Sequence, residues 1–277
     1  MKRFIYMCLF LIVGNITLGF AQETVNIYYT NDTHSQILPY TLSTNNLSVG
    51  GIVRRATMLA DKRLEDDDLL LFDSGDFVQG SVYFSVFEGK TDIELMNACH
   101  YDVACLGNHE FDNGIDNIVD MVSWANFPII CANLDFTGTA LEGKIKPYVT
   151  FMRKGIKIGV FGLIVKLDGL VMKKNYEGTQ YLDFLDTANT MVDKLRNDEH
   201  CDLIVCLSHM GVNADKSLAA KNQGIDLILG GHSHTYMATP MPFTNSYGSQ
   251  TLVTQMGSKG RSVGHFTIKM KEVEIEK

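Results

Sequence analysis

From Thr24 onward, short apolar runs rich in β-branched residues alternate with segments in which apolar residues recur every three or four positions. The first pattern predicts strands and the second predicts helices, and their alternation is typical of an α/β domain. Nine strands are predicted, at 25–30, 68–73, 102–106, 128–132, 157–163, 202–207, 226–230, 251–255 and 263–269. Five helices are predicted, at 51–64, 91–98, 115–124, 183–196 and 214–221. The stretch 134–155, with glycines and a proline among polar residues, predicts a loop with a hairpin.

Five of the predicted strands are followed at once by residue types that bind metal ions. In chain order these residues are Asp32 and His34, Asp76, Asn108 and His109, His209, and His232 and His234. The carboxyl ends of parallel strands share one edge, so these side chains are expected to meet there. Taken singly, a histidine after a strand or an Asn-Asp pair is more often a surface, capping or turn residue. That ordinary explanation would have to hold at all five ends together.

The candidate ligands combine carboxylate oxygen, amide oxygen and imidazole nitrogen. This mixture suits borderline divalent ions such as Mn, Zn, Fe or Co. The candidates are Asp32, His34, Asp76, Asn108, His209, His232 and His234. One ion takes about four to six ligands, so seven candidates predict two divalent ions that share a bridging carboxylate.

The first residues predict a secretory signal. Lys2 and Arg3 precede an apolar run from Phe4 to Phe20, and the small residues Gly19 and Ala21 lie where a signal peptidase would cut. This pattern predicts a signal peptide at 1–21, a mature domain at 22–277 and export to the periplasm or the extracellular space. A retained membrane anchor is the alternative, but polar residues dilute the run.

The net charge of the chain limits the classes of partner that it is expected to bind. The formal net charge is −8, and loss of Lys2 and Arg3 would make it two units more negative. Such acidity argues against binding a nucleic-acid polymer, whereas bound cations could attract a small anionic substrate. The five cysteines of the mature chain lack zinc-ribbon spacing and are predicted to be buried free thiols.

Five motifs in this order resemble those of the calcineurin-like metallophosphoesterases, and within them the 5′-nucleotidase branch. They are YTNDTHSQ, DSGDFVQGS, GNHEFDNG, LSHMG and GGHSH. The resemblance extends from about Asn26 to about Met270. It implies a four-layer α/β/β/α sandwich with mixed sheets and the metal site at the strand ends.

The resemblance also implies roles for individual residues. The first metal would be bound by Asp32, His34 and His234, the last at a position where relatives can carry glutamine. Asp76 would bridge to a second metal held with Asn108, His209 and His232. His109 would stay free of metal and donate a hydrogen bond to the phosphoryl group, with Asp112 orienting it. A simpler explanation of Asp112 is a helix N-cap.

The implied function is hydrolysis of phosphate monoesters, nucleotides above all, by direct attack of a metal-bridging hydroxide without a covalent enzyme intermediate. One alternative is hydrolysis of cyclic nucleotides, other phosphodiesters or sulfur esters. Another is a catalytic-fold subunit that needs a partner. The resemblance covers the catalytic domain only, so a separately encoded recognition-domain protein is a possible partner.

Overall fold

Strands and helices of this chain stack in layers, with short ladders and turns between them. The computed structural model describes residues 24–245 and 247–269, so the predicted signal peptide at 1–21 lies outside the described residues. The strands are β1 Thr24–Thr30, β2 Tyr40–Thr41, β3 Ser48–Val49, β4 Leu70–Asp73, β5 Val103–Cys105, β6 Ile129–Ile130, β7 Leu134–Asp135, β8 Tyr148–Arg153, β9 Ile156–Ile164, β10 Gln180–Tyr181, β11 Leu203–His209, β12 Leu227–Gly230, β13 Met241–Thr244, β14 Gln250–Gln255 and β15 Gly264–Lys269. The helices are α1 Ile52–Glu65, α2 Val82–Phe87, α3 Lys90–Ala98, α4 Ile115–Trp124, α5 Phe184–Asp193 and α6 Val212–Lys221.

Two large mixed sheets form the centre of the fold. One has the strand order β15-β1-β4-β5-β6, in which only β15 is antiparallel to its neighbour. The other has the order β13-β14-β12-β11-β9-β8, with parallel central strands and antiparallel strands at both edges. In both sheets the central parallel strands therefore end at a common edge.

The two sheets pack face to face, and each carries helices on its outer face. Leu70 and Phe72 of β4 pack in the apolar layer between the sheets, against residues such as Val205 of β11. Leu71 of the same strand faces outward, into a cluster that includes Leu59 of α1 and residues of α3 and α4. A third cluster joins the outer face of the six-stranded sheet to α5 and α6. The four-layer α/β/β/α sandwich is confirmed.

All nine predicted strands and five predicted helices are present, with ends that shift by one or a few residues. The predicted hairpin is formed by β8 and β9, which join through a turn at Lys154 and Gly155. The helix α2 was not predicted, because its six residues give too short a pattern; the Ser81 side chain caps it by accepting a hydrogen bond from the amide of Phe84.

The predicted free thiols are also present. The five cysteines in the described ranges are buried and free. Among the helices in those ranges, none combines the length and apolar character required to cross a bilayer.

Candidate metal centre

The predicted ligands meet at one edge of the sandwich, and both large sheets contribute to it. Three of the five strand ends, those of β1, β4 and β5, belong to the five-stranded sheet. The ends of β11 and β12 belong to the six-stranded sheet. The site therefore lies where the carboxyl ends of two packed sheets come together.

Candidate metal-binding atoms form three overlapping groups, and within each group every atom lies within 4.8 Å of the others. These groups are Asp32 with His34 and His234, His34 with Asp76 and His109, and Asp76 with His209 and His232. Asp76 takes part in two of them. Its Oδ2 atom lies 3.0 Å from His209 Nε2 and 4.0 Å from His34 Nε2. Asp32 Oδ1 lies 3.3 Å from His234 Nε2 and 4.0 Å from His209 Nε2.

Most of these side chains sit on strained backbone. Asp32, His34, Asp76, His232 and His234 have φ angles of 49°, 47°, 54°, 70° and 53°. Residues other than glycine seldom adopt such left-handed angles, which cost of order 1–3 kcal/mol each unless the surroundings enforce them. Five such residues in one cluster indicate a backbone shaped to aim side chains at a common point.

Two glycines allow His209 to be enclosed. A Cβ atom at Gly75 or at Gly231 would lie 2.8 Å from His209 Nδ1. Gly75 also has a φ of 89°, which other residues rarely adopt. The close approach of these two backbones excludes a larger residue at either position.

The donor set and its unpaired atoms fit a metal site. The Nδ1 atom of His209 is 2.7 Å from the Ser74 carbonyl, to which it donates, so the ring presents Nε2 to Asp76. That Nε2 atom is buried and makes no hydrogen bond of good geometry, and neither does the buried Oδ1 atom of Asn108. Buried polar atoms normally have partners, so the Asn108 oxygen without one, together with a His209 nitrogen that faces the Asp76 carboxylate at 3.0 Å, fits a site that binds a cation.

At two of the candidate positions, His34 and His232, the surroundings favour the neutral imidazole that binding of a metal ion requires. Burial lowers the pKa of His34 and of His232, against the opposing charge of the nearby carboxylates. A neutral ring has a lone pair free for coordination. At His34 and His232 the surroundings therefore favour the protonation state of a ligand.

His109 differs from the other histidines of the cluster. Its Nδ1 atom is 2.8 Å from Asp112 Oδ2, and this hydrogen bond is the main reason that the pKa of His109 is raised. Its backbone amide donates to Asp76 Oδ1 at 2.9 Å. Asp112 is held in turn, since its carbonyl accepts a hydrogen bond of 2.7 Å from Asn175. The helix α4 is capped at Gly114, so the alternative role of Asp112 as its N-cap is wrong.

Sequence reasoning missed Glu110, which is fully buried beneath the loop that carries Asp76. Its carboxylate accepts hydrogen bonds from the backbone amides of Gly107, Asp76, Phe77 and Val78. Burial, and then the charge of Asp76, raises the pKa of Glu110, whereas these donors act in the opposite direction. The only sequence signal was its place inside GNHEFDNG.

Replacing Glu110 by glutamine is expected to destabilise the protein by about 1–3 kcal/mol, because an amide nitrogen would then face backbone N–H donors. The loop that carries Asp76 should also hold metal less tightly. Urea denaturation and elemental analysis measure the two effects. Glu94→Gln, on the exposed face of α3, is the matched control and should change stability by less than about 0.5 kcal/mol. Equal stability of the two variants would contradict the role given to Glu110.

The sandwich carries clustered carboxylates and imidazoles of the kind that hold metal ions, at the edge shared by its two large sheets. The family of calcineurin-like phosphoesterases matches residues 25–236, and the chain belongs to this family.

Several similar proteins are 5′-nucleotidases. The chain is 31% identical to 5′-nucleotidase of Bos taurus, with 90% of this chain and 47% of the relative covered. It is 30% identical to snake venom 5′-nucleotidase of Crotalus adamanteus, with 88% and 45% covered. The crystal structure of a 5′-nucleotidase precursor from Thermus thermophilus superimposes with a TM-score of 0.84 at 30% identity, covering 90% of this chain and 52% of that one. The chain spans about half the length of the relatives it matches.

Proposed function

We propose that the chain is an exported enzyme that hydrolyses phosphate monoesters, principally nucleotides, at a centre of two divalent ions. The main observation behind this proposal is the position of Asp76, whose Oδ2 atom lies 4.0 Å from His34 Nε2 and 3.0 Å from His209 Nε2. One carboxylate therefore faces candidate ligands of both ions. The similarity to 5′-nucleotidases supports nucleotides as the substrate class. The predicted signal peptide supports export.

The two ligand sets follow from the groups of neighbouring atoms. Asp32, His34 and His234 would hold one ion. His209 and His232 would hold the other, with the unpaired amide oxygen of Asn108 as a further ligand. Asp76 would bridge the pair. The ions would be Mn, Zn, Fe or Co, which accept mixed oxygen and imidazole ligands.

When bound, the ions would supply a water that is deprotonated near neutral pH and positive charge beside the phosphoryl oxygens. His109 has a separate task. Asp112 engages its Nδ1 atom, which leaves Nε2 to donate a hydrogen bond towards the phosphoryl group. The same hydrogen bond favours the protonated ring, the form that stabilises negative charge as it develops in the transition state.

Turnover of a substrate panel tests this function. The panel contains nucleoside monophosphates, a cyclic nucleotide, glycerol phosphate and a sulfur ester, each assayed with metal-loaded protein and after chelation. We expect nucleoside monophosphates to be hydrolysed fastest, activity to vanish on chelation, and a divalent ion such as Mn or Zn to restore it.

Other outcomes distinguish the alternatives. Preference for the cyclic nucleotide or the sulfur ester would replace the proposed substrate class. Turnover that appears only after a separate recognition-domain protein is added would identify the chain as a catalytic subunit. Absence of metal-dependent turnover on every ester, with and without such a partner, would contradict the proposal.

A further inference from the structure

Two oppositely charged side chains occupy buried positions on helices of the outer layer. Arg55 lies on the buried face of α1, and Asp92 lies on the buried face of α3. Arg55 is 9% exposed and Asp92 is 6% exposed. Burial of an ionised group is costly unless the group is paired and hydrogen-bonded. Each of these two residues therefore needs a partner inside the protein.

The two charges lie near each other without touching. Within residues 24–245 and 247–269, neither Arg55 nor Asp92 forms an ion pair of 4.0 Å or less. Burial raises the pKa of Asp92 to about 7, and the Ser35 hydroxyl and the charge of Arg55 oppose this rise. Arg55 also lies near Asp73, but both oxygens of Asp73 already accept hydrogen bonds, from the Thr30 hydroxyl and from a backbone amide. Asp92 is therefore the carboxylate left to balance Arg55.

A small cavity is lined by both charges. Its volume is about 10 Å³, and Arg55, Asp92 and Ser35 are among the residues that line it. The Nε atom of Arg55, the Oδ2 atom of Asp92 and the Oγ atom of Ser35 are buried and make no hydrogen bond of good geometry. To hold one water molecule, a cavity needs about 10–15 Å³ and two to four polar partners. This cavity is just large enough, and three polar atoms of its lining residues lack a partner.

The cavity adjoins the loop that carries the candidate ligand His34. Thr33 and Ser35, on either side of His34, both line the cavity. The loop is also bound to the loop of Asp76, since the His34 amide donates to the Asp76 carbonyl at 3.0 Å. His34 and Ser35 both have a φ of 47°, and such left-handed angles persist only where the surroundings enforce them. A contact to Ser35 from the helices would therefore help to hold His34 in place.

We propose that the cavity binds one structural water molecule, which bridges Arg55 and Asp92 and holds Ser35. Through this water the two charges act as positioning residues for His34. The water would accept a hydrogen bond from Arg55 Nε and donate its two hydrogens to Asp92 Oδ2 and Ser35 Oγ. A hydrogen bond donated to the carboxylate favours its ionised form. The bound water is independent of the reaction, whereas the positioning role rests on the proposed two-metal centre.

A crystal structure of the native protein, at a resolution that shows ordered water, tests the site directly. We expect one ordered water within hydrogen-bond distance of Arg55 Nε, Asp92 Oδ2 and Ser35 Oγ. Direct contact between Arg55 and Asp92, or the absence of ordered water from the cavity, would overturn the proposal. This test needs no variant and does not depend on bound metal.

A double-mutant cycle measures whether the two charges compensate each other. Arg55→Met, Asp92→Leu and the combined variant are compared with the native chain by urea denaturation. We expect each single variant to unfold at a lower urea concentration, because the remaining charge stays buried and unpaired. The combined variant should lose less than the sum of the two losses, and additive losses would contradict a bridged pair. Arg54→Met, at an exposed neighbouring position, is the matched control and should shift the midpoint far less.

Metal binding tests the positioning role without turnover. Calorimetry with manganese compares the native chain with Asp92→Ala and with Glu94→Ala, an exposed acid on the same helix. We expect Asp92→Ala to weaken one of the two manganese sites by about tenfold, since loss of a residue that supports a ligand costs about 10- to 100-fold. Glu94→Ala should leave both sites at their native affinities. Asp92→Glu should restore the weakened site, because its longer carboxylate can reach Arg55 in place of the water.

The outcomes separate this proposal from the proposed function. Native affinity at both sites in Asp92→Ala, or an equal loss at both, would overturn the positioning of His34. A native chain that binds no manganese would show that the two-metal centre is wrong. The ordered water and the coupling between Arg55 and Asp92 would then still uphold the bridged pair.

Discussion

Replacing His109 by asparagine is expected to lower kcat by about a hundredfold or more while both metal ions remain bound. The ring of His109 contacts Asp112 through Nδ1, and its other nitrogen faces the centre. A hydrogen bond that strengthens only in the transition state affects kcat more than KM. Steady-state kinetics and elemental analysis of the same preparation measure the two quantities.

This variant also decides between two roles for His109. Its ring nitrogen lies in a group with His34 and Asp76, so geometry alone would permit it to bind metal. Loss of an ion in His109→Asn would show that it is a ligand and would contradict its assignment as the donor. His100→Asn is the matched control, because His100 is exposed and its positive φ of 55° is one that asparagine tolerates.

Replacing Asp76 by asparagine is expected to remove both ions and at least about a hundredfold of the activity. Loss of residues that merely support a ligand already costs about 10- to 100-fold in metal affinity or activity, so loss of the bridging charge should cost at least as much. Asparagine keeps one oxygen but removes the charge that His34 and His209 face. Elemental analysis after dialysis gives the number of ions per chain.

The pattern of metal loss is the informative result. Loss of a single ion would show that Asp76 belongs to one site and would count against a bridge. Asp102→Asn is the matched control, since Asp102 precedes β5 at the opposite end of the sheet and its Oδ2 atom accepts a hydrogen bond from Leu71 that an amide oxygen can replace. This control should retain both ions.

The layers of the fold and the position of the metal centre could be predicted from the sequence, because buried parallel strands appear as apolar runs. The strand β4 is buried on both faces, so its apolar residues are continuous and the polar residues that follow mark its end. The assignment of the strands to two separate sheets could not be predicted from the sequence. Leu70 and Val205 lie in similar apolar runs, and only packing shows that both belong to the layer between the sheets.

The residues and backbone angles that hold the candidate ligands in place were harder to predict from the sequence than the ligands themselves. Glu110 acts through backbone amides more than 30 positions away, and such contacts leave no periodic signal. The left-handed backbone at Asp32 and Asp76 is equally hidden, because aspartate at a turn is ordinary and only the fold enforces the angle.

The central claim is that one carboxylate holds two ions at the edge shared by both sheets. Anomalous diffraction from crystals of the manganese-loaded protein tests it most directly. The expected result is two anomalous peaks about 3.5–4 Å apart, with Asp76 between them, Asp32, His34 and His234 around one, and His209 and His232 around the other. A single peak, or two peaks without Asp76 between them, would contradict the account.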